Sequence, residues 1–389
     1  MAVAALLALW LSALCLGVRP QLYNVVDYQA TGNGNSDDTH ALLKSWRAAC
    51  ADSGDPTFLI PSGKTFLLFD GITFKGPCNS SIHVQVSGNI IALDGLWTNG
   101  AASLITFRDI NSLTVHGGGQ IDGQGPVWWK CVAENSCTRP PHTLSFIGCD
   151  DLRVSGIKIK DSPAQQMTID TCVGVHVEGV TITAPGDSPN TDGILIAHSQ
   201  HVLITASIIG TGDDCIAIGP GSSDVNITHI MCGPGHGISI GSLGRDGEES
   251  TVEKILVAHC HIFQAMTGVR IKTWQGGSGF AREILFAHIN FTSVKTPIVI
   301  DQYYNPDGQR SAESSSVAVS NVRFVDLHGS SVQEVAISLV CSKDIPCEGI
   351  VMKDVSLYWE GSDDPAKSSC HNAHVNSIGK VIPQIQCLN

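Results

Sequence analysis

From Thr57 onward the apolar residues of this chain come in short β-branched runs, each parted from the next by Gly, Asn, Asp or Ser. Leu152-Arg153-Val154, Val175-His176-Val177, Val202-Leu203-Ile204, Val225-Asn226-Ile227, Ile255-Leu256-Val257, Ile284-Leu285-Phe286, Val322-Arg323-Phe324 and Ile350-Val351-Met352 are successive instances. Counted from Leu152, their first residues recur after 23, 27, 23, 30, 29, 38 and 28 positions. A second apolar pair follows a few residues on, as in Ile157-Lys158-Ile159 and Val180-Thr181-Ile182. Alternation within a run is the period of a strand, and strand-and-turn units repeating every 20 to 50 residues or so mark a solenoid. The pattern predicts an all-β fold, a right-handed parallel β-helix. A β-sandwich also alternates strands with turns, but it does not require its motifs to return at coil length.

The first fifty residues read differently. Tyr23 to Cys50 gives a short strand, a Gly/Asn-rich turn from Gly32 to Asn35, and a helix that Asp37 or Asp38 can cap. Ala41, Leu42, Trp46 and Ala49 share one face of that helix. One amphipathic helix ahead of many strands fits a cap, which a solenoid needs to cover its terminal core and unpaired strand edges. Cys370 to Asn389 is expected to be a C-terminal tail tied down by a disulfide. The predicted organisation is a leader over residues 1–17 and a single β-helix domain over 18–389.

Composition adds the compartment. Ala4 to Leu14 is an almost unbroken apolar run, too short to span a bilayer comfortably, and nothing later is longer. It reads as a secretory signal peptide, so the mature protein is expected to be secreted and extracellular, free of the membrane, and monomeric. Asn79, Asn226 and Asn290 begin glycosylation sequons compatible with that route. Export also favours disulfides between cysteines close in sequence: Cys131 with Cys137, Cys215 with Cys232, Cys341 with Cys347, Cys370 with Cys387, and Cys50 with Cys78. Cys149, Cys172 and Cys260 lie in strand-like runs and are expected as buried thiols. Metal and cofactor are not expected, since no pair of cysteines has CxxC spacing. A net charge of −13 argues against nucleic acid as a partner and admits an anionic ligand only where cations are concentrated.

Such a concentration occurs between Asn190 and Lys272. SPNTDGI carries Asn190 and Asp192, GTGDDCIAIG carries Asp213 and Asp214, CGPGHGISIGSLG carries His236, and GVRIKTW carries Arg270 and Lys272. Asp192 to Asp214 and Asp214 to His236 are equal steps of 22 residues. If each step is one coil, backbones one step apart stand about 4.8 Å apart. Carboxyl groups splaying from them can leave the roughly 6.5 to 9.5 Å that a water needs in an inverting glycosidase. Asp213 and Asp214 are adjacent, so the backbone must turn for both to face one site, and Gly210 and Gly212 precede that turn. Gly-Asp-Asp alone is an ordinary surface turn; its register with Asp192 and His236 is what marks it. Crowded carboxylates raise one member's pKa, which suits a general acid. Arg270 and Lys272 alternate along a strand and share a face, and two cations beside three acids imply a bound anion. The step from His236 to Arg270 is longer, with Gly241 to Ser250 expected to absorb the excess as a loop.

At these residues the chain resembles the polygalacturonases, the glycoside hydrolase family that cuts homogalacturonan. The resemblance covers almost everything after the leader, including YNVVDYQATGNGNSDDT and TRPPHTLSF. It implies an inverting hydrolase of α-1,4-linked galacturonate with Asp213 as general acid and Asp192 with Asp214 activating water. It further implies that His236 tunes the acid, that Arg270 and Lys272 hold the sugar carboxylate, and that Asn190 lines the subsites. An aromatic is expected after Asp301-Gln302, where Tyr304 fits the position better than Tyr303. The implied partner is pectic polysaccharide in the cell wall, and the motif wording resembles plant exo-acting members. The alternatives are an endo-acting enzyme, a rhamnogalacturonan hydrolase, a calcium-dependent pectate lyase, and an inactive pectin-binding β-helix.

Overall fold

The computed structural model describes residues 21–388 apart from 98, 138 and 306–313. The expected leader over residues 1–17, Cys15 included, lies outside the described residues. The strands stack in three parallel ladders, one per side of a coiled chain. In the first, Leu152 pairs with Val175, then Val202, Val225, Ile255, Ile284 and Val322 in turn, and Phe324 pairs with Met352. The sequence intervals are therefore coil lengths. The second ladder runs through Ile159, Ile182, Ile209, Cys232, Ile262 and Phe291. The third runs through Ile105, Leu144, Met167, Ile194, Ile216, Ile238, Val269, Ile298 and Ile337.

The register is fixed by burial. A slip of one residue would turn each apolar row to solvent, and the inward members of all three ladders belong to one core that runs from Val25 to Ala373. Five disulfides form as expected from spacing. Cys149, Cys172 and Cys260 are free and buried.

The helix is Thr39–Cys50, and Trp46 seals it onto the first coils against Phe58, Phe74 and Phe107. Asp38 holds the N-cap position without capping: its carboxylate accepts from Thr31 N–H at 2.6 Å and Gly32 N–H at 3.2 Å. Asp37 accepts from Thr39 N–H at 3.0 Å instead. The structure adds to or departs from the expectations at four places. Gly32 to Asn35 is largely strand, Asn33–Asp37, because Asn33 pairs with Thr65. A second helix, Pro126–Ala133, begins on a proline and was not anticipated. The strands Ile238–Leu243 and Glu249–Ala258 take up half of the expected loop, leaving residues 244–248 outside the strands. The tail after Cys370 first adds a strand, Ala373–Ile382, paired with Cys347–Trp359.

Candidate active site

The third ladder builds the site. Asp192, Asp214 and His236 each stand two residues before a paired isoleucine, Ile194, Ile216 and Ile238, so they form one row across three coils. Backbone bonds carry the ladder into that row: Gly193 N–H donates to the Asp214 carbonyl at 2.8 Å and Cys215 N–H to the Gly237 carbonyl at 2.8 Å. The chain bends at Asp213, as its neighbour's register requires. A Cβ on Gly212 would stand 2.0 Å from the Ser188 carbonyl oxygen, and one on Gly210 2.4 Å from that of Gly233. Close backbone approach is thus what demands glycine here.

His236 is tied to Asp213 twice. Its N–H donates to the Asp213 carbonyl at 2.8 Å, and its Nδ1 lies 3.0 Å from Asp213 Oδ1. The Thr267 hydroxyl donates to the His236 carbonyl from the next coil. The Cys215–Cys232 disulfide links the residue after Asp214 to the coil that presents His236.

Arg270 and Lys272 do not stack above His236. Ser239 pairs with Arg270, which puts both cations farther along the strand. They reach back to one carboxylate: Arg270 Nη2 donates to Asp214 Oδ1 at 2.8 Å and Lys272 Nζ to Oδ2 at 2.7 Å. Ser239, unremarked in the sequence, donates to Asp214 Oδ1 at 2.7 Å and accepts from Arg270 Nε at 3.0 Å. Asp214 is fully buried, and the two cations keep 7% and 8% of their side-chain surface. Charges this enclosed are stable only when paired and hydrogen-bonded, and here all three are.

The other two acids are pushed apart. Burial, reinforced by the Asp213 and Asp214 charges, drives the Asp192 carboxyl well above its ordinary value, although Lys272 and a hydrogen bond from Gln165 oppose it. At Asp213 burial is the largest single influence and acts upward. The His236 hydrogen bond and charge, the Lys272 charge and the Asp214 N–H together outweigh it and hold the group below the ordinary range. Without substrate, then, Asp192 is displaced upward and Asp213 downward. Gln165, also missed in the sequence, donates to Asp192 Oδ1 at 3.1 Å. It sits one coil earlier in the same row, since Met167 pairs with Ile194.

Of the two tyrosines, Tyr304 is at the site. Its ring centroid lies 5.1 Å from Lys272 Nζ and 6.0 Å from the Arg270 guanidinium carbon, and its edge meets Trp274 at 5.6 Å. The Tyr303 hydroxyl instead accepts from Lys343 N–H at 2.9 Å. Asn190 is exposed and lines, with Gln165, a cleft of about 670 Å³ on the other side of Asp192.

Ligand atoms of Asp213, Asp214 and His236 lie within 4.8 Å of one another, a donor set within reach of one metal ion. The electrostatics oppose that use. Both Asp214 oxygens already carry a cationic partner, so an incoming divalent ion would meet an ammonium and a guanidinium at contact distance.

A model described as glycosyl hydrolases family 28 matches residues 50–379. A probable polygalacturonase of Arabidopsis thaliana is 42% identical over 372 residues, 94% of this chain and 80% of that protein. An exopolygalacturonase of Zea mays is 38% identical over 92% of this chain and 88% of its own length. Among solved structures, an endo-xylogalacturonan hydrolase from Aspergillus tubingensis superposes with a TM-score of 0.78 at 23% identity, covering 94% of this chain and 98% of that one. At that identity the likeness concerns the fold alone.

Proposed function

The chain belongs to glycosyl hydrolase family 28, and on that premise we propose that it is a secreted polygalacturonase. It hydrolyses α-1,4 bonds between galacturonates with inversion, as a monomer whose catalytic unit spans residues 18–389, acting on cell-wall pectin. The observation that carries this is the row of Asp192, Asp214 and His236, with Asp213 at its bend and two cations on Asp214.

In this reading Asp213 protonates the glycosidic oxygen while Asp192 and Asp214 align and deprotonate the attacking water. In the unliganded protein Asp213 is held below the ordinary carboxyl range, and bound substrate acts on it in the opposite sense. A sugar carboxylate held by the remaining N–H groups of Arg270 and Lys272 takes the Lys272 charge away from Asp213. The bound ring also shields Asp213 from water. Both effects raise its pKa, which favours the protonated, general-acid form of Asp213 once substrate is bound.

Attack is proposed to be exo, supported by the GDSPNTDGI and GPGHGISIGSLGR wording and by the maize relative's name. Long polygalacturonate decides: monomer alone from the first minutes means exo action, a spread of oligomers means endo. Proton NMR of the first product should show the β-anomer. Unsaturated uronides, or activity lost to a chelator, would replace hydrolysis with calcium-dependent elimination. Asp213→Asn should lower reducing-end release by about 10² to 10⁴-fold with the melting temperature largely kept. An unchanged rate would remove Asp213 from the mechanism.

A further inference from the structure

Each coil has three sides, so the corner between the first and second ladders is the one opposite the third ladder, and the second ladder separates it from the catalytic row. Five of the chain's fifteen histidines gather at that corner. Ala206, His229, His259, His288 and Asp326 hold its bend in successive coils, all with φ between 49° and 57°. His, Asn and Asp enter this left-handed region more readily than most residues, which accounts for a polar residue at the bend but not for imidazole three times running. His229, His259 and His288 stack ring on ring, with centroids 5.2 and 4.8 Å apart and planes 18° and 9° from parallel. Two residues further along each coil, Met231, His261, Asn290 and His328 pair in turn and form the adjoining row. A hollow of about 320 Å³ is lined from both rows.

The stack ends on a carboxylate. Asp326 Oδ2 lies 2.7 Å from His288 Nδ1 and its Oδ1 lies 2.6 Å from His328 Nε2, while His261 Nε2 lies 2.9 Å from the Thr292 hydroxyl. The rings stay open to solvent: His229 and His259 are exposed, and His288 and His328 keep 50% and 45% of their side-chain surface. Cys260, between His259 and His261, faces the core, and burial pushes its thiol up to about 12, so it stays neutral. The other charged groups on the strands that meet here are Arg323 on the first ladder, Lys353 and Asp354 on the following coil, and Glu360, whose carboxylate is taken by the Ser293 and Ser330 hydroxyls. Arg323 and Lys353 offset Asp326 and Asp354. The sign of the corner therefore rests on the protons of its five imidazoles.

Charge gives the ligand class. Imidazole is the side chain whose ordinary charge change falls between about pH 5 and 8, whereas carboxylates of the sugar-acid kind stay ionised at about pH 5. With the imidazoles neutral, the corner has no excess of cations, and a chain of net charge −13 gives a polyanion no hold there. With them protonated, it presents cations at coil intervals of about 4.8 Å, which attract carboxylates repeated along a polymer. Resting on the polygalacturonase reading above for the ligand's identity, we infer that this corner is a second polyuronate-binding site, outside the groove, that takes hold of pectin in acid. A chain bound there lies on a different side of the coil from the scissile bond. It anchors the protein to the polymer network while the groove works on another chain, and the tether raises the local concentration of chain to cleave.

The test is retention of the full-length protein on insoluble polygalacturonate at pH 5 and pH 7, with Asp213→Asn present to stop turnover and excess trigalacturonate filling the groove. Several exposed ion pairs together amount to about ten-fold or more in affinity, so retention should be at least about ten-fold stronger at pH 5 and should fall with added salt. Changing His229, His259 and His288 together to Asn keeps residues suited to the bend and should abolish the gain at pH 5. Changing the same three to Lys should give retention at both pH values. A native protein not retained at pH 5 overturns the assignment, including one that carries a glycan at Asn290. So does an Asn variant retained like the native protein, or a Lys variant that still needs acid. With Asp213 restored, kcat/KM on trigalacturonate, which is too short to engage both sites, should be level across the series, whereas a merely structural role would lower it. The outcome separates from the polygalacturonase reading. Hydrolysis without histidine-dependent retention refutes the second site alone; histidine-dependent retention without release of reducing ends refutes hydrolysis and leaves the site standing.

Discussion

Asp192 and Asp213 stand on neighbouring coils of one site and are driven in opposite directions, and a split of this kind is how a site separates its acid from its base. The upward shift of Asp192 has a consequence for stability. A raised native pKa means the folded protein holds the proton more tightly than the unfolded chain. The stability this supplies is full below the ordinary carboxyl range and is lost as pH rises through the raised value. Asp192→Asn removes the carboxylate whose burial is costly. The variant should melt above the native protein at pH 7, with the gap closing toward pH 4, as followed by circular dichroism. A gap that widens on acidification would contradict the burial account. His236 acts on the partner acid in the reverse sense, since its hydrogen bond and charge help hold Asp213 low. His236→Gln should therefore shift the acid limb of the kcat/KM profile to higher pH as well as reduce its height. A profile lowered without displacement would confine His236 to holding the sugar.

The bend at Asp213 is the element on which the site depends. It brings two consecutive aspartates to one site only because the coil carrying Ser188 can lie against Gly212. Gly212→Ala puts a methyl group at 2.0 Å from the Ser188 carbonyl oxygen, so one of the two backbones must move. The change should cost about 1 to 3 kcal/mol in urea unfolding, typical of overpacking. It should also reduce turnover more than Ala at Gly118, where nothing lies within 4 Å of the Cβ position and φ is not positive. Equal effects at the two sites would show that the close approach does not matter.

The same element shows what the sequence makes legible. Asp192, Asp214 and His236 could be aligned because their coils are close to one length and keep the row. Arg270 could be found but not placed, because the next coil is longer: the strand Glu249–Ala258 extends through residues a loop was expected to hold. That displacement sets Arg270 opposite Ser239, and only there can the pair share Asp214. Ser239 and Gln165 gave no signal of their own, since a serine or glutamine on a strand becomes informative only once its partner across the coil is known. The Gly32 to Asn35 stretch misled for a related reason. Its composition favours a turn, and pairing with the strand Thr65–Leu68 overrides that preference.

At the scale of the whole molecule, a solenoid is most exposed at its ends, because an inner coil has two neighbours and a terminal coil has one. The first coils are closed by the helix Thr39–Cys50, held through Trp46 and by the Cys50–Cys78 disulfide. The last strand of the third ladder is closed by the tail. Leu388 N–H donates to the Cys370 carbonyl at 2.9 Å and Asn372 N–H to the Leu388 carbonyl at 2.9 Å, so the tail adds a final rung, and Cys370–Cys387 fastens it. That disulfide spans 17 residues, and a loop of this size constrains the unfolded chain by about 3 kcal/mol. Cys370→Ser with Cys387→Ser should lower stability by about that amount in urea. The fraying should begin at the third ladder's C-terminal edge, three coils beyond the strand Thr267–Thr273 that carries Arg270 and Lys272. Turnover at 25 °C should therefore be unchanged while hydrogen exchange accelerates over Lys367–His371. Loss of turnover in step with stability would mean instead that the coils unfold as one cooperative unit and that the tail supports the catalytic row from a distance.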